Sequence, residues 1–469
     1  MANPTHYYAI QGINLYNNPL DQDGVMVRAV NVDSSPLGGK VKRPGYSPFL
    51  GTVSDTRIQS LFSWQNDAGS LNVYAASGGT LYYSAQGTAP WEICGNGTIT
   101  SGSAVGYTVL NNTLTISQNG GTTRYTTDGV NFVDTPLAPA GGYLEQYHNR
   151  IYITGTDSTL FYSTTNDPTN WQTSGTSDSS SITIPGAGLP NKLFKLADRL
   201  NINKTSGDQL TWDDTYLLDK STTLGMSSPY SYGTVDDNGF WLNRTGIFVS
   251  SGASPQLTSN AIQRFIYNDA QTGIGGAGFG TAQGVVHNYD YFLAVGSVRD
   301  DFTNQPLDNG IFKYNYQKNE FLTYQFANAP TAFHSFVDTT GVKQLIFGDS
   351  SGQVYQFGGT TTDNGSSIAS VMEFVYHFGV PELDKEMRWF WGFFNPGCEA
   401  QIQIAIGSTF TKGEKKWIDL GDAVSGIVQY RFPVNARGKL LYVRIKESSR
   451  NTAFSYYGCA MQFNVVNPG

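Results

Sequence analysis

Charge is what this sequence has least of. Asp, Glu, Lys and Arg make up only 14% of its 469 residues, against roughly 25% in ordinary soluble domains. The surface must then be rich in Asn, Ser, Thr, Gln and Tyr. Two readings follow: a surface largely buried against neighbouring subunits, where charge is depleted, or the polar surface of a secreted β-protein. The formal net charge of −8 excludes a general electrostatic footprint for nucleic acid. Cysteine is as scarce. Cys94, Cys398 and Cys459 form no disulfide framework and no Cys-x-x-Cys zinc pattern. Cys398 and Cys459 either pair, if their strands adjoin, or remain buried free thiols. The five histidines (His6, His148, His287, His334, His377) include no pair at metal-ligand spacing, so no metal is expected. No apolar run approaches the about 18 residues of a membrane helix. The N-terminus, MANPTHYYAIQG, lacks the basic-then-apolar build of an export signal. Synthesis in a cytoplasm, without a membrane segment, is expected.

What is abundant points to strands. There are 53 glycines and 13% aromatics; glycine is costly in helices and aromatics favour sheets. The length implies two or three domains unless the chain is a repeat. From residue 57 to 360 one theme recurs: an alternating apolar strand, a short turn, a second strand with an aromatic pair, then an aromatic closing strand. The clearest copies are LNVYAASGGTLYYSAQGTAPW (71–91) and NRIYITGTDSTLFYSTTNDPTNW (149–171), closing on Trp91 and Trp171. Weaker copies begin at Asn112, Asp198, Asn238, Tyr291 and Lys343. Hairpin signals separate the strands. A four-stranded unit cannot hide both faces alone, and packing units around an axis solves this. The expected fold is therefore all-β: a β-propeller of about seven blades, six or eight also fitting, at 57–360. The rival is a stacked or sandwich protein with irregular hairpins.

Two further regions flank the repeat. Residues 358–367, GGTTTDNGSS, read as a linker, and 361–469 as a β-sandwich of short alternating strands such as AQIQIAIG. In RWFWGFF (388–394) one face is expected in the core; the other, carrying Arg388, Phe390, Gly392 and Phe394 or its complement, is a candidate interface. Residues 1–56 read as an extended arm, anchored by Leu15, Leu20, Val25 and Val27, carrying Lys40, Lys42 and Arg43 among prolines and glycines. The arm would supply a strand that closes the ring, dock on a neighbour, or simply cap the first blade.

Signals for catalysis are weak. There is no G-x-S-x-G elbow and no phosphate loop. GIGGAGFG (273–280) is expected to be a loop, since no strand-then-helix surrounds it. Asp236–Asp237 and Asp300–Asp301 read as loop charges. TTDGVNF (126–132) is similar to the Asp-box turn of sialidases, in which the aspartate bonds its own backbone. A sialidase also needs clustered arginines, and Arg124, Arg150, Arg199, Arg244 and Arg264 come from different units. No enzyme activity and no cofactor are expected.

One resemblance links the two ends. GINLYNNPLDQDGVMVRAVNVDSSPLGGKVKRPGYSPFL (12–50) carries an Ile-x-Leu…Pro-Leu phrase, then RAVNVD (28–33), then KRPGY (42–46). This order resembles the N-terminal signature of virion proteins of tailed bacteriophages, some of them propeller-built tail-nozzle or head–tail knob components. LFYSTTNDPTNW and the C-terminal GKLLYVRIKESSRNTAFSYYGCAMQFNV are similar to that family too. The resemblance implies a non-enzymatic structural protein of the virion tail. It would form a homo-oligomeric ring, sixfold, around the DNA exit channel below the portal and adaptor. Its partners would be the adaptor, a tail fibre or other virion proteins, with genomic DNA passing transiently. Lys40, Lys42, Arg43, Tyr46, Trp91, Trp171 and Arg388 are the candidate interface residues. The alternative is a receptor- or carbohydrate-binding propeller at the virion tip, using Trp91, Trp171 and Trp241; a sialidase-like glycosidase ranks below both.

Overall fold

The computed structural model describes residues 5–8, 13, 24–35, 39–174, 177–212, 218–266, 273–274, 276–299, 306–379, 381–408, 415–449 and 454–466. Leu15, Leu20, Asp300 and Asp301 lie outside them. Helix among these residues is confined to Ser259–Ile262, Gln263–Ile266 and Gly276–Thr281. None of these is long and apolar enough to cross a membrane.

The chain lays down one antiparallel sheet after another. Ile58–Gln65, Leu71–Ser77, Thr80–Ala85 and Glu92–Thr98 pair in chain order. The same order repeats over 105–134, 141–183, 190–222 and 233–257. A sixth run is Gln283–His287, Asp290–Arg299, Pro306–Asn315 and Glu320–Gln325. The last contains Ala332–Val337, Lys343–Gly348 and Gln353–Phe357, and its fourth strand is Tyr46–Thr52, drawn from the N-terminal region. The second strand of each run explains the packing. Every residue of Leu71–Ser77 and of Thr113–Gln118 is buried, because neighbouring sheets cover both faces. Apolar clusters fill each gap. Leu110, Leu144, Ile151, Ile153 and Trp171 lie between the second and third sheets. Phe49, Ile58, Leu61 and Val73 meet Ala332, Phe336, Ile346 and Val354 between the last and the first. At about 1.5–3 kcal/mol per fully buried large apolar side chain, that last cluster closes the ring. The fold is a β-propeller.

The C-terminal strands form two facing sheets. Ser370–Tyr376, Leu440–Glu447, Gln401–Gly407 and Ile418–Asp422 make one; Ser455–Val466, Asp384–Phe394 and Ile427–Arg431 belong to the other. Phe374, Phe390, Ile402, Val443, Tyr456 and Met461 fill the space between. Cys94, Cys398 and Cys459 are all buried, and no disulfide joins any of them.

The N-terminal region is divided between these bodies. Thr5–Tyr8, Val32–Ser34 and Lys40–Lys42 join the second sandwich sheet. Val25–Val30 pairs antiparallel with Ser370–Tyr376 on one side and, through Val30 and Thr323, parallel with Glu320–Gln325 on the other. One sheet thus runs from the sixth blade into the sandwich. The stretch read as a linker is corrected on the same ground. Thr362–Asp363 and Ser366–Ser367 form a hairpin that pairs with Tyr46. A Cβ on Gly45 would lie 1.9 Å from the Thr362 carbonyl oxygen, so Gly45→Ala is expected to destabilise by about 1–3 kcal/mol, as overpacking does; chemical denaturation measures it.

The stretch 273–280 departs from the expected loop. Gly273–Ile274 pairs with Val298 and Arg299, and Gly276–Thr281 is a short helix. Phe279 anchors it in the core. At Gly278 a Cβ would lie 2.5 Å from the Val295 carbonyl oxygen, so the glycine permits a backbone approach that outweighs its poor helix propensity.

Candidate functional site

The basic segment of the N-terminal region is a clasp. Arg43 is 1% exposed, and all five guanidinium N–H groups are engaged. Nε donates to Asn31 Oδ1 (2.7 Å), and Nη1 to the Pro44 carbonyl (2.8 Å) and Asp363 Oδ1 (2.9 Å). Nη2 donates to the Gln325 carbonyl (2.8 Å) and Asp363 Oδ2 (2.6 Å). The guanidinium also lies over the Phe326 ring at 4.7 Å. Asn31 is the hinge of this arrangement. Its φ of 58°, a conformation asparagine tolerates, turns its amide to donate to the Ala369 carbonyl at 2.8 Å. Lys42 pairs with Glu447 (2.8 Å), and Lys40 with Glu320. Lys313, in the sixth blade, pairs with Asp33 (2.6 Å) and Asp290 (3.0 Å). Tyr46 is fully buried among Phe326, Phe347 and Tyr355, and its hydroxyl donates to Asn328 Oδ1 at 3.0 Å.

Lys40, Lys42, Arg43 and Tyr46 therefore bind sixth blade, hairpin and sandwich to one another. This corrects the expectation that they face a neighbouring subunit. Three buried cations demand internal counter-charges, because an unpaired buried charge is very costly. Trp171 is also internal: it is buried, and its indole N–H donates to the Pro168 carbonyl at 3.0 Å. Trp241 is wholly buried and donates to the Leu224 carbonyl at 2.8 Å, so neither offers a face to a sugar. Trp91 is half-buried, edge-on to Phe49 at 6.3 Å. Arg388 is exposed, 3.2 Å from Glu386. In the same strand Phe390, Gly392 and Phe394 face the core, while Trp389, Trp391 and Phe393 are half-exposed. The turn at 126–132 holds itself together: Asp128 Oδ1 accepts the N–H groups of Val130 and Asn131, both at 2.8 Å. Arg124 pairs with Asp134 and Arg150 with Asp178.

A cavity opens on the propeller axis. Its volume is about 740 Å³, and residues of all seven innermost strands line it. Its wall includes Tyr107, Tyr143, Glu145, Lys192, Tyr230, Tyr232, His334 and Lys343; no arginine lines it among the described residues. Glu145 is half-buried on the cavity wall. Burial pushes its carboxyl up to about 7, opposed by Lys192 and Lys195. Burial likewise lowers the Lys192 ammonium, opposed by Glu145. Tyr107 is raised, first by the protein packed around the cavity and then by Glu145. His334, whose Nε2 lies 2.8 Å from Ser63 Oγ, is lowered to about 4 by burial. His287 is also lowered to about 4, by burial and then by Lys343 and Lys313.

The histidines carry a pH prediction. Unfolded, each takes up a proton near its ordinary value of about 6.5; folded, each stays neutral down to about 4. Their contribution to stability is complete above about pH 6.5 and is lost as the pH falls toward about 4. Glu145 acts in the opposite sense, since its folded form holds a proton up to about 7. Unfolding free energies of the parent and His334→Gln are therefore expected to converge, or cross, between about pH 6.5 and 4. A pH-independent difference would contradict this.

None of the cavity residues stood out in the sequence. Each recognisable copy starts at the second strand, whose alternating apolar residues stand out and which is buried on both faces. The innermost strand precedes it and faces the axial cavity on one side, so its periodicity is weak. A short polar-aromatic strand before every copy, as in GGYLEQY (141–147), is the signal that was available.

No family model and no curated protein matches the chain. Among solved structures it is similar to YCF48 from Cyanidioschyzon merolae (11% identity, TM-score 0.44, covering 67% of this chain and 98% of that one). It is also similar to BamB from Moraxella catarrhalis (12% identity, TM-score 0.40, 76% and 97%). The WD40 domain of Pan2 from Neurospora crassa follows at 8% identity and TM-score 0.42, covering 68% and 95%.

Proposed function

We propose that the chain is a non-enzymatic structural component of a bacteriophage tail, of the nozzle or knob kind. Copies would assemble in the virion as a ring, sixfold, around the DNA exit channel, contacting the portal adaptor and a fibre or other tail protein. The observation that carries this is the clasp. The RAVNVD and KRPGY phrases, which prompt the resemblance, are the residues that fuse propeller and sandwich into one body: Asn31, Asp33, Lys42, Arg43 and Tyr46. A subunit that transmits load between neighbours benefits from such fusion. A cyclic ring also needs two dissimilar patches per subunit. Exposed apolar side chains include Ile93, Val133 and Leu137 on the outer strands and rim of the first two blades, and Val424, Ile427, Val434 and Tyr457 on the sandwich, with others such as Leu189, Val337 and Val342 elsewhere on the propeller.

Native mass spectrometry is expected to give multiples of the 51.1 kDa chain, and Ile427→Asp with Val434→Asp to yield monomers. A strict monomer, absent from purified particles, overturns the reading. Salt-sensitive retention of duplex DNA by the ring would contradict a channel wall past which DNA slides. The second reading, a ligand-binding propeller, is favoured by one observation, the axial cavity.

A further inference from the structure

We propose that the axial cavity binds an acidic saccharide, held by the hydroxyls of Tyr107, Tyr143 and Tyr230 and by the ammonium of Lys192. The inference goes beyond the ring reading and stands or falls separately from it. The first argument is size and wall chemistry. A volume of about 740 Å³ lies within the roughly 300–1,000 Å³ of small-molecule sites. The wall is rich in phenols, with serines and amide side chains between them. Such a wall meets a ligand with many hydroxyls better than an apolar one. Tyr107 is 38% exposed and stacks on Phe62 at 4.7 Å, leaving a rigid aromatic surface of the kind a sugar ring covers.

The second argument is charge. Lys192 and Glu145 line the same wall, and Glu145 is the charge that supports the Lys192 ammonium. The groups around Glu145 are Lys192 and Lys195 on the next blade, Tyr107 on the preceding one and Tyr232 beyond. His287, His334 and Lys343 also line the cavity or adjoin it. The two imidazoles stay neutral at physiological pH. Once Glu145 takes up its proton near pH 7, the support that its carboxylate gives the Lys192 ammonium is withdrawn. A carboxylate on the ligand then replaces the one that has been neutralised, while protonated Glu145 donates a hydrogen bond. Neutral sugars gain nothing from that proton; acidic ones do.

The test is calorimetric titration of the full chain at about pH 6 and about pH 8.5, on either side of the Glu145 value of about 7. The probes are trigalacturonate, a hyaluronan tetrasaccharide, maltotriose and citrate. At least one acidic saccharide is expected to bind, and more tightly than maltotriose and citrate. A ligand that raises Glu145 by one unit gains up to about tenfold on going to the lower pH. Glu145→Gln should abolish that pH dependence. Lys192→Met should weaken binding about tenfold or more with an unchanged melting curve; if it fails to fold, Tyr143→Phe is read instead. The proposal is overturned if neither acidic saccharide binds at millimolar concentration, if maltotriose or citrate binds as well, or if these variants leave binding unchanged.

Discussion

Arg43→Ala is expected to lower the unfolding free energy by about 3–5 kcal/mol, the cost of removing one partner from a buried ion pair. The cause lies less in the lost attraction than in what stays behind. Asp363, 5% exposed, would keep its charge with no cation facing it, and the carbonyls of Pro44 and Gln325 would lose their donor. Arg43→Lys should recover only part, because one ammonium cannot span the fork of Asp363 while also reaching Asn31. Arg43→Met with Asp363→Leu should cost less than Arg43→Ala alone, since two apolar groups leave no buried charge. Urea denaturation of the four proteins decides it. An Arg43→Ala loss below about 1 kcal/mol, the scale of an exposed pair, would mean that the site is hydrated.

A chain beginning at residue 53 is expected not to fold cooperatively. The cut removes Tyr46–Thr52, which pairs with Gln353–Phe357, and leaves that strand as an open edge, a template for aggregation. It also removes Val25–Val30, which joins Glu320–Gln325 to Ser370–Tyr376. Tyr46→Ala is the graded version, expected to cost about 3–5 kcal/mol as large aromatic truncations do. Size-exclusion chromatography and limited proteolysis read both. A soluble, protease-resistant product lacking residues 1–52 would show that the ring closes without its borrowed strand.

Sandwich and propeller were both legible because their strongest strands are local. LNVYAAS announces itself by its apolar run, TLTISQ and QIQIAIG by strict alternation. The borrowed strand was legible only as an option among others. The last copy, KQLIFGDSSGQVYQFG, ends one strand short, but nothing local says which distant segment completes it. The cavity was illegible for a different reason. Glu145 and Lys192 are 47 residues apart in the chain, and each looks like an ordinary surface charge until seven strands gather around one axis.

The sequence by itself determined that the chain is all-β, repeated and poor in charge, since propensity, alternation and composition act over a few residues at a time. Only the tertiary structure decided what Lys40, Lys42 and Arg43 are for. Their counter-charges, Glu320, Glu447 and Asp363, lie some 280 to 405 residues away in the chain. A cation's role depends on whether folding leaves it in water or closes an acid over it, and here folding closes three.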